Sequence, residues 1–216
     1  MEQKAVVITN LTVRDVYRAS DTKRWQIVKT ARNQSVAEHS YQVAMIAARI
    51  CQVLDLDEAT QAKVTWYALT HDLPEVLTGD LASPLKRLLG EETRSVLREL
   101  ETSIAFLGLP VLQVSQLVGE VVKAADLIEA IKFLDENKMT DHGAEVQADL
   151  TRQLAEMGGP AIMQVLREIL SGPYTTLDDL VRIRAAEAEA ESNLESAILA
   201  ASEEPDVEHP RAAPMA

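Results

Sequence analysis

Residues Thr65–Asp80 read TWYALTHDLPEVLTGD. A helical stretch that begins near Glu58 runs to about Asp72, and Pro74 limits it, because proline lacks the N–H that a further turn would use. At its end stand His71 and Asp72. An imidazole nitrogen and a carboxylate oxygen on consecutive residues are two ready ligands for a divalent ion. Two completing ligands stand elsewhere, His39 in SVAEHS and Asp126 in VVKAADLIEAIKF.

The flanking segments carry the same helical period. From Ala37 to about Leu54, apolar residues recur at spacings of three and four (Val43, Ile46, Ala47, Ile50, Val53, Leu54). Ser35 is a fair N-cap for that helix, with Glu38 three residues on as its capping-box partner. A short helix is expected near 12–20, a loop over 75–84, and further helices at 85–89, 91–107, 111–137, 144–157, 161–171 and 177–199. Glycine and proline pairs such as Gly108-Leu109-Pro110 and Gly172-Pro173 break them. No alternating strand pattern or fixed repeat competes, so the expected fold is an all-α, single-domain helical bundle over 1–200. The last residues, 201–216, hold three prolines and little apolar material, which predicts a disordered acidic tail. His209 lies in that tail, without the scaffold that a ligand needs.

Composition narrows the function classes. The chain has 216 residues, enough for one domain with a full core, and only 4% of them are aromatic, so Leu, Val, Ile and Ala must fill that core. A single cysteine, Cys51, excludes an internal disulfide and sits in an apolar run that reads as packing. The net charge of −13 argues against nucleic acid as a partner, since a phosphate backbone is captured mainly by Lys and Arg. The N-terminal stretch lacks the apolar run of a signal peptide, and no segment is long enough to span a membrane. A cytoplasmic protein with no membrane partner is the expectation.

Each ligand candidate also has a plainer explanation. A histidine beside Glu38 could be a buried, hydrogen-bonded residue, and Asp126 could be a surface carboxylate. Asp126, however, lies among Val121, Val122, Ala124, Ala125, Leu127 and Ile128, where an unpaired carboxylate is costly. Two histidines and two aspartates on apolar helix faces make a constellation that structural need does not readily explain.

Three stretches carry a family resemblance: ARNQSVAEHS before the first histidine, HDLPEVLTGDLASPLK around the pair, and VVKAADLIEAIKFLDE around Asp126. The pattern H…HD…D in this setting resembles the HD-domain phosphohydrolases. More narrowly it is similar to the bacterial 5′-deoxynucleotidases and the phage dATP triphosphohydrolases, over about residues 20–140. Arg24-Trp25 in KRWQIV matches an Arg-Trp that both groups place at the substrate pocket.

The resemblance implies an HD-type bundle whose metal ligands are His39, His71, Asp72 and Asp126, with positions left open for water and a phosphate oxygen. Mixed imidazole and carboxylate ligation suits Mn, Co, Fe or Zn, with no choice among them. Glu75, four residues after His71, faces the same side if the helical turn persists, and there could serve as general acid or base. Asp80 resembles the carboxylate that orients the attacking water, although a turn former after Gly79 is its plainer reading. Arg24 offers a planar fork for phosphate and Lys86 a point charge. Trp25 could wall the sugar or base and disfavour a 2′-hydroxyl, or be a core aromatic; Ile27 lies where an apolar side chain nears the base. Glu129 and Lys132 read as either supporting or solvated residues, and His142 has no motif support.

The expected activity is a metal-dependent hydrolase of 2′-deoxynucleotides, first a 5′-deoxynucleotidase releasing phosphate from deoxynucleoside monophosphates. The alternatives are a dATP or dNTP triphosphohydrolase releasing tripolyphosphate, and a non-catalytic regulatory HD module; Glu75, Asp80 and Arg24 together argue against the last. Relatives of this type are commonly dimers or larger, so a homo-oligomer is expected.

Overall fold

Helices dominate the chain because its caps and apolar periods agree. A computed structural model describes residues 9–110 and 114–202. In chain order the elements are β1 (Thr9–Leu11), α1 (Val13–Val16) with a 3₁₀ turn Tyr17–Ser20, α2 (Val36–Val53), α3 (Glu58–Thr70), α4 (Glu75–Thr78), α5 (Ser83–Leu88), α6 (Glu91–Thr102), β2 (Ile104–Phe106), β3 (Leu109–Pro110), α7 (Gln116–Asn137), α8 (Asp141–Met157), α9 (Pro160–Ser171) and α10 (Leu177–Ser202). Ser35 caps α2 by accepting from the Glu38 N–H at 3.2 Å, as the capping-box spacing predicts. Asp57 does the same for α3 through the Thr60 N–H at 3.0 Å.

The main core lies where α2, α3 and α7 meet, with α8 and α9 closing over it. Val43, Ala47, Ile50, Val64, Ala68, Ala124 and Ile128 are buried there. The alanines let the backbones come close, and each fully buried Val or Ile contributes about 1.5–3 kcal/mol by leaving water. Helix α7 is buried along most of its length, as its near-continuous apolar run requires.

Three local expectations are corrected. The segment 75–84 is not all loop: the chain winds on past Pro74 into α4, with the Glu75 N–H bonded to the Asp72 carbonyl at 3.0 Å. The helix expected over 91–107 stops at Thr102, and Ile104–Phe106 becomes a strand. That strand pairs parallel with β1 and antiparallel with β3, a three-stranded sheet that the absence of an alternating pattern did not suggest. Strands of two or three residues are too short to show a period; pairing with a distant segment decides them. The start of the helix expected at 111–137 lies partly outside the described residues, and its described part begins at Gln116.

The chain divides into two compact units, Met1–Ser171 and Gly172–Ala216. In the second, Asp179 accepts from the Thr176 N–H at 2.9 Å and its hydroxyl at 2.6 Å, fastening the first turn of α10. The tail expected over 201–216 lies, from residue 203 on, outside the described residues. No helix among the described residues is long and apolar enough to cross a membrane.

Candidate metal centre

The start of α2, the end of α3 and the middle of α7 bring the chemistry together. Helix α2 carries His39 in its first turn, fully buried. Helix α3 ends on His71, whose backbone N–H still bonds the Tyr67 carbonyl at 2.8 Å. Asp72 follows at once, and α7 supplies Asp126 and, one turn later on the same face, Glu129. Ligand atoms of His39, His71 and Asp72 gather within 4.8 Å of one another.

The distances define the arrangement. His39 Nε2 lies 3.4 Å from Asp72 Oδ2 and 3.4 Å from Asp126 Oδ1. His71 Nε2 lies 3.4 Å from Asp72 Oδ1. Arg24 reaches the same carboxylates, 2.9 Å to Asp72 Oδ2 and 3.9 Å to Asp126 Oδ1. The other oxygen of Asp126 accepts from Lys123 Nζ at 2.9 Å, so Asp126 stands at the rim of the cluster, shared with two cations.

Both imidazoles are turned by their other nitrogen. His71 Nδ1 is 2.8 Å from the Ala68 carbonyl, which can only accept, so Nδ1 carries a proton and Nε2 is turned toward Asp72. His39 Nδ1 meets Glu129 Oε2 at 2.5 Å. Among the described residues, four buried side-chain polar atoms lack a hydrogen-bond partner: Arg24 Nε, His39 Nε2, His71 Nε2 and Glu75 Oε2. All four belong to this cluster. Converging, unsatisfied imidazole nitrogens beside carboxylates fit a divalent ion that takes N and O donors, because orphaned buried polar atoms are costly unless something binds them.

Charge follows the geometry. Burial and the Arg24 guanidinium push His39 down, but Asp126, Asp72 and Glu129 outweigh them and lift it to about 10. Burial would raise Asp72 and Asp126; the neighbouring His71, His39 and Arg24 charges for the first, and His39 and Lys123 for the second, hold both well below the usual carboxylate range. Glu75 goes the other way. Burial first, then Asp72 and Asp80, push it up to about 8, against the partial relief of Lys86 and Arg24. A carboxyl that keeps its proton at neutral pH beside ionised carboxylates is suited to donate it.

The remaining expected residues divide. A cavity of about 220 Å³ is lined by Arg24, Trp25, Ile27, Asp80 and Asp126 among others, which sets the expected wall residues beside the rim of the cluster. Ile27 is 55% exposed. Lys86 is not among the lining residues; its Nζ is 3.7 Å from Glu75 Oε1. Trp25 stacks on Phe133, with centroids 5.6 Å apart and planes 4° from parallel, and its backbone sits at φ 63°. A left-handed aromatic residue is strained by about 1–3 kcal/mol, and such strain persists only where neighbours over-determine it.

Sequence reasoning missed Gln34 and Lys123, and left open Glu129 and His142. Glu129, 3% exposed, is no solvated residue: it binds His39 and Gln34. Its place in an apolar run, one turn past Asp126, was the available signal. His142 lines the cavity with half its side chain exposed. Lys132 pairs with Glu136 at 2.9 Å.

Comparison with known proteins bears on this geometry. The family model described as 5′-deoxynucleotidase YfbR-like matches residues 14–109. A dATP triphosphohydrolase of Acinetobacter phage SH-Ab 15497 is 33% identical over 162 residues, covering 68% of this chain and 79% of that one. A 5′-deoxynucleotidase of Photorhabdus laumondii is 26% identical over 176 residues, 73% of this chain and 89% of its own. Among solved structures, the HD phosphohydrolase DatZ of cyanophage S-2L, bound to dA and one catalytic Zn²⁺ ion, superposes with a TM-score of 0.62 at 27% identity, covering 71% of this chain and 91% of that one.

Proposed function

The chain belongs to the HD-domain deoxynucleotide phosphohydrolases, and from that membership we propose that it hydrolyses the phosphoester at the 5′ oxygen of 2′-deoxynucleotides, with a divalent ion at His39, His71, Asp72 and Asp126. The observation that carries the reading is the pair of buried Nε2 atoms of His39 and His71, neither in a hydrogen bond and each 3.4 Å from Asp72. When bound, the ion supplies Lewis-acid polarisation of a phosphoryl oxygen and a more acidic water. The zinc of the cyanophage neighbour supports zinc as the first metal to test, with Mn, Co and Fe compatible with the same donors.

The residues then have separate tasks. Arg24, already oriented by Asp72, shares its guanidinium with a phosphate oxygen. Trp25 and Ile27 wall the sugar and base, and Asp80 orients the water. Glu75, pushed up to about 8, holds a proton at neutral pH and gives it to the departing 5′ oxygen as the P–O bond breaks and water oxygen bonds to phosphorus. Lys86 beside it steadies the carboxylate that remains.

A monophosphate is the substrate the electrostatics support. Of the described cations at the cluster, Arg24 is matched by Asp72 and Lys123 by Asp126, which leaves Lys86, beside the protonated Glu75, as the surplus charge, little for a longer anion. A second reading, release of tripolyphosphate from a deoxynucleoside triphosphate, draws support from the phage dATP triphosphohydrolase that aligns over 79% of its length, as the first does from the 5′-deoxynucleotidases. Metal-loaded protein assayed on deoxynucleoside mono- and triphosphates decides between phosphate and tripolyphosphate; neither product, in the presence of any of the four metals, overturns the proposal.

The proposal extends to a cytoplasmic homo-oligomer. Exposed Trp66 stacks on Phe106, beside exposed Leu107 and Leu109, an apolar surface that supports burial against a second copy.

A further inference from the structure

A run of buried polar contacts leads from the cavity wall to His39. Trp25 Nε1 donates to Gln34 Oε1 at 2.7 Å, Gln34 Nε2 donates to Glu129 Oε1 at 2.5 Å, and Glu129 Oε2 takes the Nδ1 edge of His39 at 2.5 Å. Gln34 is 0% exposed, and its backbone carbonyl also holds the Arg24 N–H at 3.0 Å. One residue thus touches the wall, the phosphate-binding candidate and the support of a ligand.

The chemistry of the groups sets the direction of this run. An indole nitrogen only donates, so the amide oxygen of Gln34 must face Trp25 and its NH₂ must face Glu129. The flipped amide would put oxygen against a carboxylate and N–H against N–H, two repulsions around side chains, Gln34 and Glu129, that are buried from solvent. With one lobe of the carboxylate taken by Gln34, the other is left for His39 Nδ1–H, which turns Nε2 toward Asp72 and Asp126. The second N–H of the amide reaches Gln42 Oε1 at 3.3 Å and anchors it to α2.

We infer that Gln34 is a positioning residue that ties the cavity wall to the metal-facing imidazole, so that the seating of Trp25 and the aim of His39 Nε2 are set together. The inference rests on the proposed metal role of His39. Coupling of this kind is reciprocal: filling the Nε2 position must be felt at the indole, and loss of the indole donor must be felt in metal affinity.

The test titrates Zn²⁺ into the metal-free full chain and reads two things, the Zn²⁺ Kd by chelator competition and the indole N–H resonance of Trp25, told apart from that of Trp66 by its absence in Trp25→Phe. In the wild type the Trp25 resonance shifts on loading. In Gln34→Leu it no longer responds, and Zn²⁺ binds about 10–100-fold more weakly, as for other groups behind a metal ligand. Trp25→Phe keeps a ring on Phe133 but removes the donor, and it too weakens Zn²⁺ binding, by about 10-fold. It also decides the question if circular dichroism shows Gln34→Leu unfolded. A wild type that takes up Zn²⁺ with no response at Trp25, and variants with unchanged Kd, would overturn the link alone; a wild type that takes up no Zn²⁺ would overturn the metal role of His39 and the link with it.

Discussion

Glu129 meets the Nδ1 edge of His39 at 2.5 Å and leaves Nε2 of the same ring 3.4 Å from both Asp72 and Asp126. The two residues are 90 positions apart, on α2 and α7. The packing of those helices therefore aims the imidazole, and the consequences can be measured.

Asp72→Ala should empty the site. Asp72 lies 3.4 Å from both imidazoles, and its removal leaves two neutral rings and the rim carboxylate Asp126 to hold a doubly charged ion. Bound metal by elemental analysis and hydrolysis should both disappear. Full occupancy in the variant would contradict the ligand assignment.

Glu75→Gln should keep the metal and lower turnover by about 10²-fold or more, the size expected for loss of a general acid. The same residue gives a stability test in metal-free protein. Its carboxyl is raised from 4.5 to about 8, so the fold favours the protonated form: that stabilisation is complete below about 4.5 and is lost as pH rises through 8. Melting temperature should thus fall between about pH 4.5 and 8 more steeply in the wild type than in Glu75→Gln, and parallel curves would refute it.

Metal uptake should release a proton. With His39 raised to about 10, its ring is protonated in metal-free protein at pH 8, and a ligand must shed that proton. Calorimetric titration with Zn²⁺ in buffers of different ionisation heat should report about one proton released per ion by this linkage. Affinity should climb with pH until His39 itself titrates; a pH-independent Kd between 7 and 9 would contradict this.

Trp25→Ala, assayed at saturating metal, should lose preference for deoxynucleotides over ribonucleotides. An apolar wall discriminates by only about 1–3 kcal/mol, so the drop should be on the order of tenfold. Equal wild-type rates on dAMP and AMP, or on dATP and ATP, would remove the sugar-wall role while leaving metal-dependent hydrolysis in place.

Sedimentation at micromolar concentration should show a species larger than the 23.7 kDa chain. Charge placed at the exposed apolar surface, as in Leu109→Glu, should shift it toward monomer. A wild-type monomer would reject the oligomer.

The period of α2 and the cap at Ser35 were legible in the sequence, because both are energies within one or two turns of chain. His39, His71, Asp72 and Asp126 were legible as candidates, since their polar groups interrupt apolar stretches at a cost that only a partner offsets; that they stand close together is seen only in the fold. Other features depend on contacts between distant residues. Ile104–Phe106 is a strand because β1 lies alongside it, and Glu75 stays near Asp72 because the chain keeps winding past Pro74. Gln34 had no local mark at all: its importance comes from Trp25 on one side and Glu129, 95 residues away, on the other. A sequence shows which side chains can donate, accept or ligate; hydrogen bonds that act over about 3 Å are decided by the packing of α2 against α7, which brings those side chains within reach.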